Sequence, residues 1–112
     1  MAFDEGLAER LREILKTRDG ITERKMFGGL AFMSNGHMFV GVTDNALMAR
    51  VGPIEYASAL GKRDVREMDF TGKPMQGYVF VDSAGLESES DLAHWVGTCL
   101  RFVETLPPKP TQ

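Results

Sequence analysis

The residue types most able to do chemistry in this 112-residue chain lie at positions 24–38, in the stretch RKMFGGLAFMSNGHM. A basic pair, a glycine pair and a histidine are typical of phosphate-binding and active-site loops. A phosphate-binding loop would need its glycines to open a helix, or a Gly-Lys-Ser/Thr sequence at the right spacing. Neither is present, because a strand follows. We therefore interpret the stretch as a strand, a glycine break at Gly28-Gly29 and a hairpin turn at Asn35-Gly36.

Three other side chains carry metal-ligating or nucleophilic groups: His37, His94 and Cys99. His37 lies beside the predicted turn, where we expect it at the surface. No third ligand accompanies either histidine at the spacing of a metal site. Cys99 falls on the apolar stripe of a predicted helix, where a buried and inert thiol is expected. The sequence therefore predicts no metal site, no cofactor and no cysteine nucleophile.

The carboxylates with the best claim to acid–base catalysis are Asp64, Glu67 and Asp69, within a charged, turn-rich stretch at 61–77. They alternate with lysine and arginine, a pattern typical of a solvated surface. A catalytic carboxylic acid usually needs an apolar pocket that raises its pKa, and the sequence pairs none of the three with such a pocket. We predict no catalytic residues and a protein that is not an enzyme.

The composition narrows the class of protein further. The chain has 16 acidic and 13 basic residues and a net charge of −3. This charge disfavours direct binding to nucleic acid, which depends on neutralising phosphates. One cysteine excludes an internal disulfide and fits a reducing compartment. Because no segment reads as a signal peptide or membrane span, we expect a cytoplasmic protein without membrane contact.

Hydrophobic periodicity indicates which elements position these residues. Apolar side chains recur at helical spacing over 3–15 and 92–106, which predicts an amphipathic helix near each end. Residues 22–52 and 78–81 alternate as strands do, and Pro53 suits the start of a short helix.

The element order is therefore α-β-β-β-α-β-α, with one extra strand near 65–68. We predict an α+β fold, a two-layer sandwich with a largely antiparallel sheet of four to five strands. We assign the domain to residues 1–106 and a disordered tail to 107–112.

Two tight turns set the register of the central meander. If Asn35-Gly36 and Asp44-Asn45 both form two-residue turns, the cross-strand partners follow from the sequence. The predicted pairs are Ala31–Val40, Phe32–Phe39, Met33–Met38, Val42–Leu47, Val40–Ala49 and Phe39–Arg50. Because side chains alternate between faces, one face is then wholly apolar and forms the core. It carries Ala31, Met33, Met38, Val40, Val42, Leu47, Ala49 and Val51.

The opposite face of the predicted sheet is the candidate functional surface. It is an interaction surface formed by Leu30, Phe32, Phe39, Met48, Arg50, Tyr78 and Phe80, with His37 at its edge. Exposed apolar patches of this kind usually mark contact surfaces, here for a homodimer or a regulatory protein partner. Phe39→Glu is then expected to abolish association and leave the monomer folded.

Three alternatives to a protein-contact surface remain open. The aromatic face could stack on single-stranded nucleic acid, or bind a small ligand. The last helix could instead cover this face through Leu100 and Phe102.

Two segments together carry a resemblance to a known family. The first is RKMFGG at 24–29, followed by Phe32 and by NGHM at 35–38. The second is MDFTGKPM at 68–75, which leads into GYVFV at 77–81. With RVGP at 50–53 between them, the chain resembles the N-terminal domain of the TfoX/Sxy family, the regulators of natural competence. The resemblance covers roughly residues 5–106.

The resemblance implies a two-layer α/β domain with an antiparallel sheet and a non-enzymatic, regulatory role. Full-length members of the family act in the transcription of competence genes alongside a cyclic-AMP-responsive activator, and they carry a second, C-terminal helical domain. This chain ends at Gln112, just past the first domain. We therefore expect a stand-alone module that serves another partner. No catalytic residue carries over from the family.

Overall fold

The structure is a computed structural model that describes residues 3–26, 28–69 and 74–107. Its strands form one antiparallel sheet of six strands in the order β1-β2-β3-β4-β6-β5. The elements are α1 (Glu5–Leu15), β1 (Ile21–Met26), β2 (Gly29–Ser34), β3 (His37–Thr43), β4 (Ala46–Arg50), α2 (Tyr56–Leu60), β5 (Val65–Asp69), β6 (Pro74–Val81), a 3-10 turn (Ser83–Leu86) and α3 (Glu89–Val103). The predicted α+β class is confirmed, whereas four to five strands is too few.

The two strands at the edges of the sheet explain the difference. β1 exposes its four central residues, and β5 is mostly exposed as well. Edge strands often carry charged side chains, so they lack the apolar alternation by which a strand is recognised in sequence. The extra strand expected near 65–68 is β5. The predicted tail lies outside the described residues, apart from Pro107.

Both predicted turns form, and most of the predicted register is confirmed. Asn35, Gly36 and Asp44 have positive φ values of 51°, 87° and 52°. The pairs Met33–Met38, Val42–Leu47 and Val40–Ala49 are present.

The register shifts between Phe32 and Met33, which makes Phe39 an extra residue on β3. Such a bulge re-aims the side chains beside it. As a result Phe32 pairs with Val40 and Ala31 with Gly41, so the two predicted pairs Phe32–Phe39 and Ala31–Val40 are wrong.

This shift changes which side chains enter the core beneath the helices. Leu30, Phe32 and Phe39 join it together with Val40, Val42, Leu47, Ala49 and Val51. Helix residues such as Leu11, Trp95 and Leu100 belong to the same cluster. The predicted core members Ala31, Met33 and Met38 are absent from it. Ala31 lies opposite Gly41 on the other face, while Met33 and Met38 are half-buried beside the turn.

Capping side chains and one arginine fix the two long helices over the sheet. The Asp4 carboxylate accepts hydrogen bonds from the backbone N–H of Gly6 and Leu7 at the start of α1. Ser88 accepts from the N–H of Asp91 at the start of α3. Arg10 of α1 donates to the Leu86 carbonyl at 2.6 Å, which ties α1 to the turn before α3. The caps fix where each helix begins, and the two helices lie on the same face of the sheet because their buried residues share one core cluster.

The Arg12–Glu23 ion pair joins α1 to the exposed edge strand β1. Its two N–O distances are 2.8 and 2.9 Å, a bidentate geometry. The guanidinium of Arg12 lowers the pKa of Glu23 below its ordinary value of 4.5. A lowered folded-state pKa stabilises the protein above the unfolded pKa, and this stabilisation is lost as the pH falls through the folded pKa.

Glu23→Gln is therefore expected to lower the free energy of unfolding by about 0.5 kcal/mol at pH 7, since the pair is one-third exposed. The difference from the wild type should vanish as the pH falls below the folded pKa. Urea unfolding of both proteins at several pH values measures it. Glu13→Gln is the control, because its pair with Lys16 is far more exposed. A pH-independent loss in Glu23→Gln would contradict the linkage.

Candidate functional site in the cleft between α2 and α3

The seven residues predicted to form an interaction surface do not share one exposed face. Leu30, Phe32 and Phe39 are 4%, 1% and 0% exposed, in the core beneath the helices. The bulge at Phe39 is the reason, because it shifts β2 against β3. Leu100 of α3 belongs to the same cluster. The assignment of these three residues to the second face is therefore wrong.

Met48 and Phe80 do lie on the second face, but they too are buried. They form a small cluster with Ala46 and Met68, against which Met75 and Tyr78 pack. The guanidinium of Arg66 stacks 4.7 Å from the centre of the Phe80 ring and pairs with Asp82 at 3.0 Å. The part of this face that the structure describes is thus largely closed by its own side chains.

Arg50 and Tyr78 remain half-buried, and their position connects the sheet to α3. The Arg50 guanidinium lies 5.4 Å from the ring centres of both Tyr78 and Phe102. It also donates to the Met38 carbonyl at 3.5 Å. Two aromatic rings on one guanidinium are typical of a packing role. Arg50 therefore helps to hold Phe102, which lines the cleft described next.

A cleft of about 380 Å³ lies between α3 and the segment from Val51 to Lys62, which contains α2. This volume falls within the range of ligand-binding sites, near its lower end. Its α2 side is lined by Val51, Pro53, Ile54, Glu55, Ala59 and Lys62. Its α3 side is lined by His94, Trp95, Thr98, Arg101, Phe102 and Thr105.

The cleft is elongated because one face of α3 forms a whole wall. Five wall residues in α3, at positions 94, 95, 98, 101 and 102, recur at the spacing of a single helix face, and Thr105 follows in the turn after the helix. At 1.5 Å per residue, positions 94 to 102 extend over about 12 Å. The opposite wall, the segment from Val51 to Lys62, runs antiparallel to α3. Gly52, at its start, approaches Phe102, and Lys62, at its end, lies 5.8 Å from the centre of the Trp95 ring.

Gly52 allows the two walls to approach at the Phe102 end. Its φ is +89°, a left-handed conformation that glycine adopts without strain. A Cβ at this position would lie 2.5 Å from Cδ1 of Phe102. The Gly52 N–H donates to the Gly77 carbonyl at 3.1 Å, which ties this wall to β6. The cleft therefore depends on glycine here for both conformation and space.

Ile54 is the most unusual residue of the cleft. It is 91% exposed, and among the described residues no other large hydrophobic side chain is classed as exposed. The floor of the same cleft is aromatic, with Trp95 almost fully buried and Phe102 half-buried. His94 meets the Trp95 ring edge-on at a centroid distance of 5.9 Å. Ile54, Trp95 and Phe102 thus line one cleft, and apolar side chains grouped in this way are typical of a contact surface.

The charged side chains of the cleft are two cations and one carboxylate. Within the part of the chain that the structure describes, neither Lys62 nor Arg101 pairs with a carboxylate. Arg101 donates only to Thr98, at 3.2 Å. Five other cations form ion pairs: Arg10, Arg12, Lys16, Arg18 and Arg66. Lys62 instead lies over the Trp95 ring. The cleft thus presents two cations that no carboxylate of the described residues neutralises.

The other residues with reactive groups take structural positions. His37 is buried rather than at the surface, and its Nε2 lies 2.6 Å from the Pro107 carbonyl. Cys99 is fully buried, and burial raises the pKa of its thiol. Across residues 3–26, 28–69 and 74–107, no group of three or more His, Cys, Asp or Glu side chains could hold a metal ion.

Reasoning from the sequence missed the cleft and concentrated on the sheet. The periodicity over 92–106 predicts Trp95 as a core residue of the last helix, and the sequence suggests Phe102 only as a cover for the sheet. A weak signal was available in the hydrophobic Ile54, which directly follows Pro53 in a turn. The cationic members, Lys62 and Arg101, give no such signal, because lysine and arginine are common on any protein surface.

Comparison with known proteins identifies the family. The TfoX N-terminal domain family matches residues 13–103. No curated protein and no solved structure matches the chain. Among the described residues no helix is both long and apolar enough to cross a membrane. Parts of the two segments that suggested the family, residues 27 and 70–73, lie outside the described residues. Since the match covers most of the sequence, the chain belongs to the TfoX N-terminal domain family.

Proposed function

We propose that the domain is a non-enzymatic regulatory module that binds a segment of a partner protein in the cleft between α2 and α3. The observation that carries this proposal is Ile54, which is 91% exposed at the rim of the cleft. Exposing a large aliphatic side chain is unfavourable in water, so its burial against a partner would stabilise a complex. The chain belongs to the TfoX N-terminal domain family. Its resemblance to the competence regulators supports a role in transcription.

The nucleic-acid alternative loses its main support. Stacking on single-stranded bases requires exposed aromatic rings along a basic groove. Phe32 and Phe39, the rings on which that alternative depended, are buried beneath the helices. A second copy of this chain is another possible occupant, and the experiment below detects it.

Ile54→Asp tests the proposal with little risk to the fold, because the side chain is exposed. Tagged protein would be used to capture partners from nuclease-treated lysate of the source cell, with mass spectrometry as the readout. We expect the wild type to capture a specific partner and Ile54→Asp to bind that partner at least tenfold more weakly. A tenfold change corresponds to about 1.4 kcal/mol of binding free energy. Thr22→Asp on the exposed edge strand β1 is the matched control.

Each result has a defined meaning. Equal capture by wild type and Ile54→Asp would contradict the role of the cleft. A partner that depends on Ile54 but lies outside transcription would overturn the regulatory part and keep the interaction. If the untagged chain is the species lost, the domain is a homodimer through this cleft.

A further inference from the structure

We infer that the occupant of the cleft is a short segment of a partner protein that carries both carboxylates and apolar side chains. Lys62 and Arg101 would bind the carboxylates, and Trp95 and Phe102 would contact the apolar residues. This inference rests on the proposed function and adds the chemistry of the partner.

The first argument is the placement of the two cations along the cleft. Lys62 lies over Trp95, 5.8 Å from the ring centre, and the Arg101 guanidinium folds back to Thr98, to which it donates at 3.2 Å. Thr98 is about one helical turn after Trp95, so both cations lie beside the Trp95 half of the aromatic floor. Phe102 continues this floor for one further turn. Trp95 and Phe102 are about 10 Å apart along the axis, a distance that three residues of an extended chain span.

The second argument is charge complementarity. The protein has a net charge of −3, yet the charged cleft residues are Lys62, Arg101 and a single carboxylate, Glu55. The two cations have no carboxylate partner among the described residues, so a ligand carboxylate would not have to displace one. A charge-assisted hydrogen bond to such a group is stronger than one between neutral groups.

Glu55 makes the two ends of the cleft unequal. It follows Gly52 by three residues, and Gly52 lies against Phe102. Its negative charge opposes a ligand carboxylate at that end. We therefore expect the ligand carboxylates to bind nearer to Trp95 and Thr98, where the two cations lie.

The shape and charge of the cleft favour a polypeptide over other anionic ligands. Single-stranded nucleic acid needs a continuous basic groove along its backbone. Here the two cations lie beside an apolar floor, and a carboxylate lines the same cleft. The length of about 12 Å along α3 and the exposed Ile54 at the rim also suit a chain segment better than a compact small molecule.

Selection of displayed random heptapeptides on the intact protein tests this inference. We expect enrichment of peptides that combine Asp or Glu with apolar residues. Such a peptide should quench or shift the fluorescence of Trp95, the only tryptophan in the chain. The double variant Lys62→Glu/Arg101→Glu should bind it at least tenfold more weakly. The control is Arg24→Glu/Lys25→Glu, which changes the net charge equally on the exposed strand β1.

The outcomes separate this inference from the proposed function. Peptides that perturb Trp95 and lose binding in Ile54→Asp, but show no acidic preference, would overturn the acidic segment and leave the cleft as an interaction site. Selection of no peptide that perturbs Trp95 would count against both. An equal loss of peptide affinity in the two double variants would show that net charge alone causes it, and would contradict a specific role for Lys62 and Arg101. A 12-nucleotide single-stranded DNA that displaces the peptide with the same dependence on Lys62 would replace the polypeptide by a nucleic acid.

Discussion

Phe39→Glu is expected to abolish cooperative folding. The side chain is fully buried among the residues beneath the helices. Truncating a buried phenylalanine typically costs about 3–5 kcal/mol, and an unpaired buried carboxylate adds a further desolvation cost. Most small domains have only about 5–15 kcal/mol of total stability. The interaction-surface hypothesis instead predicts a folded monomer for this variant, so one experiment separates the two views of Phe39.

Circular dichroism during a thermal scan would measure this effect. The wild type should show a single cooperative transition, which Phe39→Glu should lose. Phe39→Leu should retain the transition at a lower midpoint, because leucine preserves the apolar contacts but fills less of the space. Thr22→Glu, on an exposed strand position, should melt close to the wild type. A native-like melting temperature for Phe39→Glu would show that the bulge does not bury this residue.

Gly52→Ala is expected to have the second-largest effect, a loss of about 3 kcal/mol in the free energy of unfolding. Two costs add. A non-glycine residue at a φ of +89° is strained by about 1–2 kcal/mol. The new Cβ would also lie 2.5 Å from Phe102, and overpacking of this kind costs about 1–3 kcal/mol.

Gly28→Ala is a closely matched control for the two costs. Gly28 has a similar φ of +71°, but no atom of the described residues lies within 4 Å of the position of an added Cβ. Urea unfolding should therefore show that Gly28→Ala lowers the free energy of unfolding by about 1–2 kcal/mol, from backbone strain alone. Adding Phe102→Ala should reduce the loss of unfolding free energy caused by Gly52→Ala, because residues 52 and 102 are in contact. The same addition should not change the loss caused by Gly28→Ala. Equal losses in the two glycine variants would contradict a role for Phe102.

The Gly52 variant also tests how the cleft is built. Phe102 forms part of the cleft and stacks on Arg50, so a displaced ring would disturb both. We expect Trp95 fluorescence and peptide binding to change in Gly52→Ala under conditions where the protein is still folded. Gly28→Ala should leave both unchanged, because Gly28 is not among the residues that line the cleft.

The local features of the chain could be predicted because they depend on neighbours in sequence. The turn at Asn35-Gly36 needs two residues that tolerate positive φ, and the sequence supplies them. The Val42–Leu47 pair follows from the next turn in the same way.

The bulge at Phe39 could not be predicted in this way. A single extra residue leaves the turns and the composition unchanged, yet it moves Leu30, Phe32 and Phe39 into the core beneath the helices. Whether a strand accepts such a residue depends on how the helices pack over it, which is a property of the assembled layers. The bulge is therefore the reason that these three residues do not form the exposed surface that the sequence predicts.

By itself, the sequence determined the class of the fold, its hairpins, most of its helices and strands, and its family resemblance. These follow from hydrophobic periods and from turn residues that act over a few positions. Only the tertiary structure decided that Ile54, Lys62, Trp95 and Arg101 line one cleft and that the predicted aromatic patch is buried. Ile54 and Arg101 are 47 positions apart in the sequence. Their proximity arises from the packing of α2 and α3 on a shared sheet, which no local pattern records.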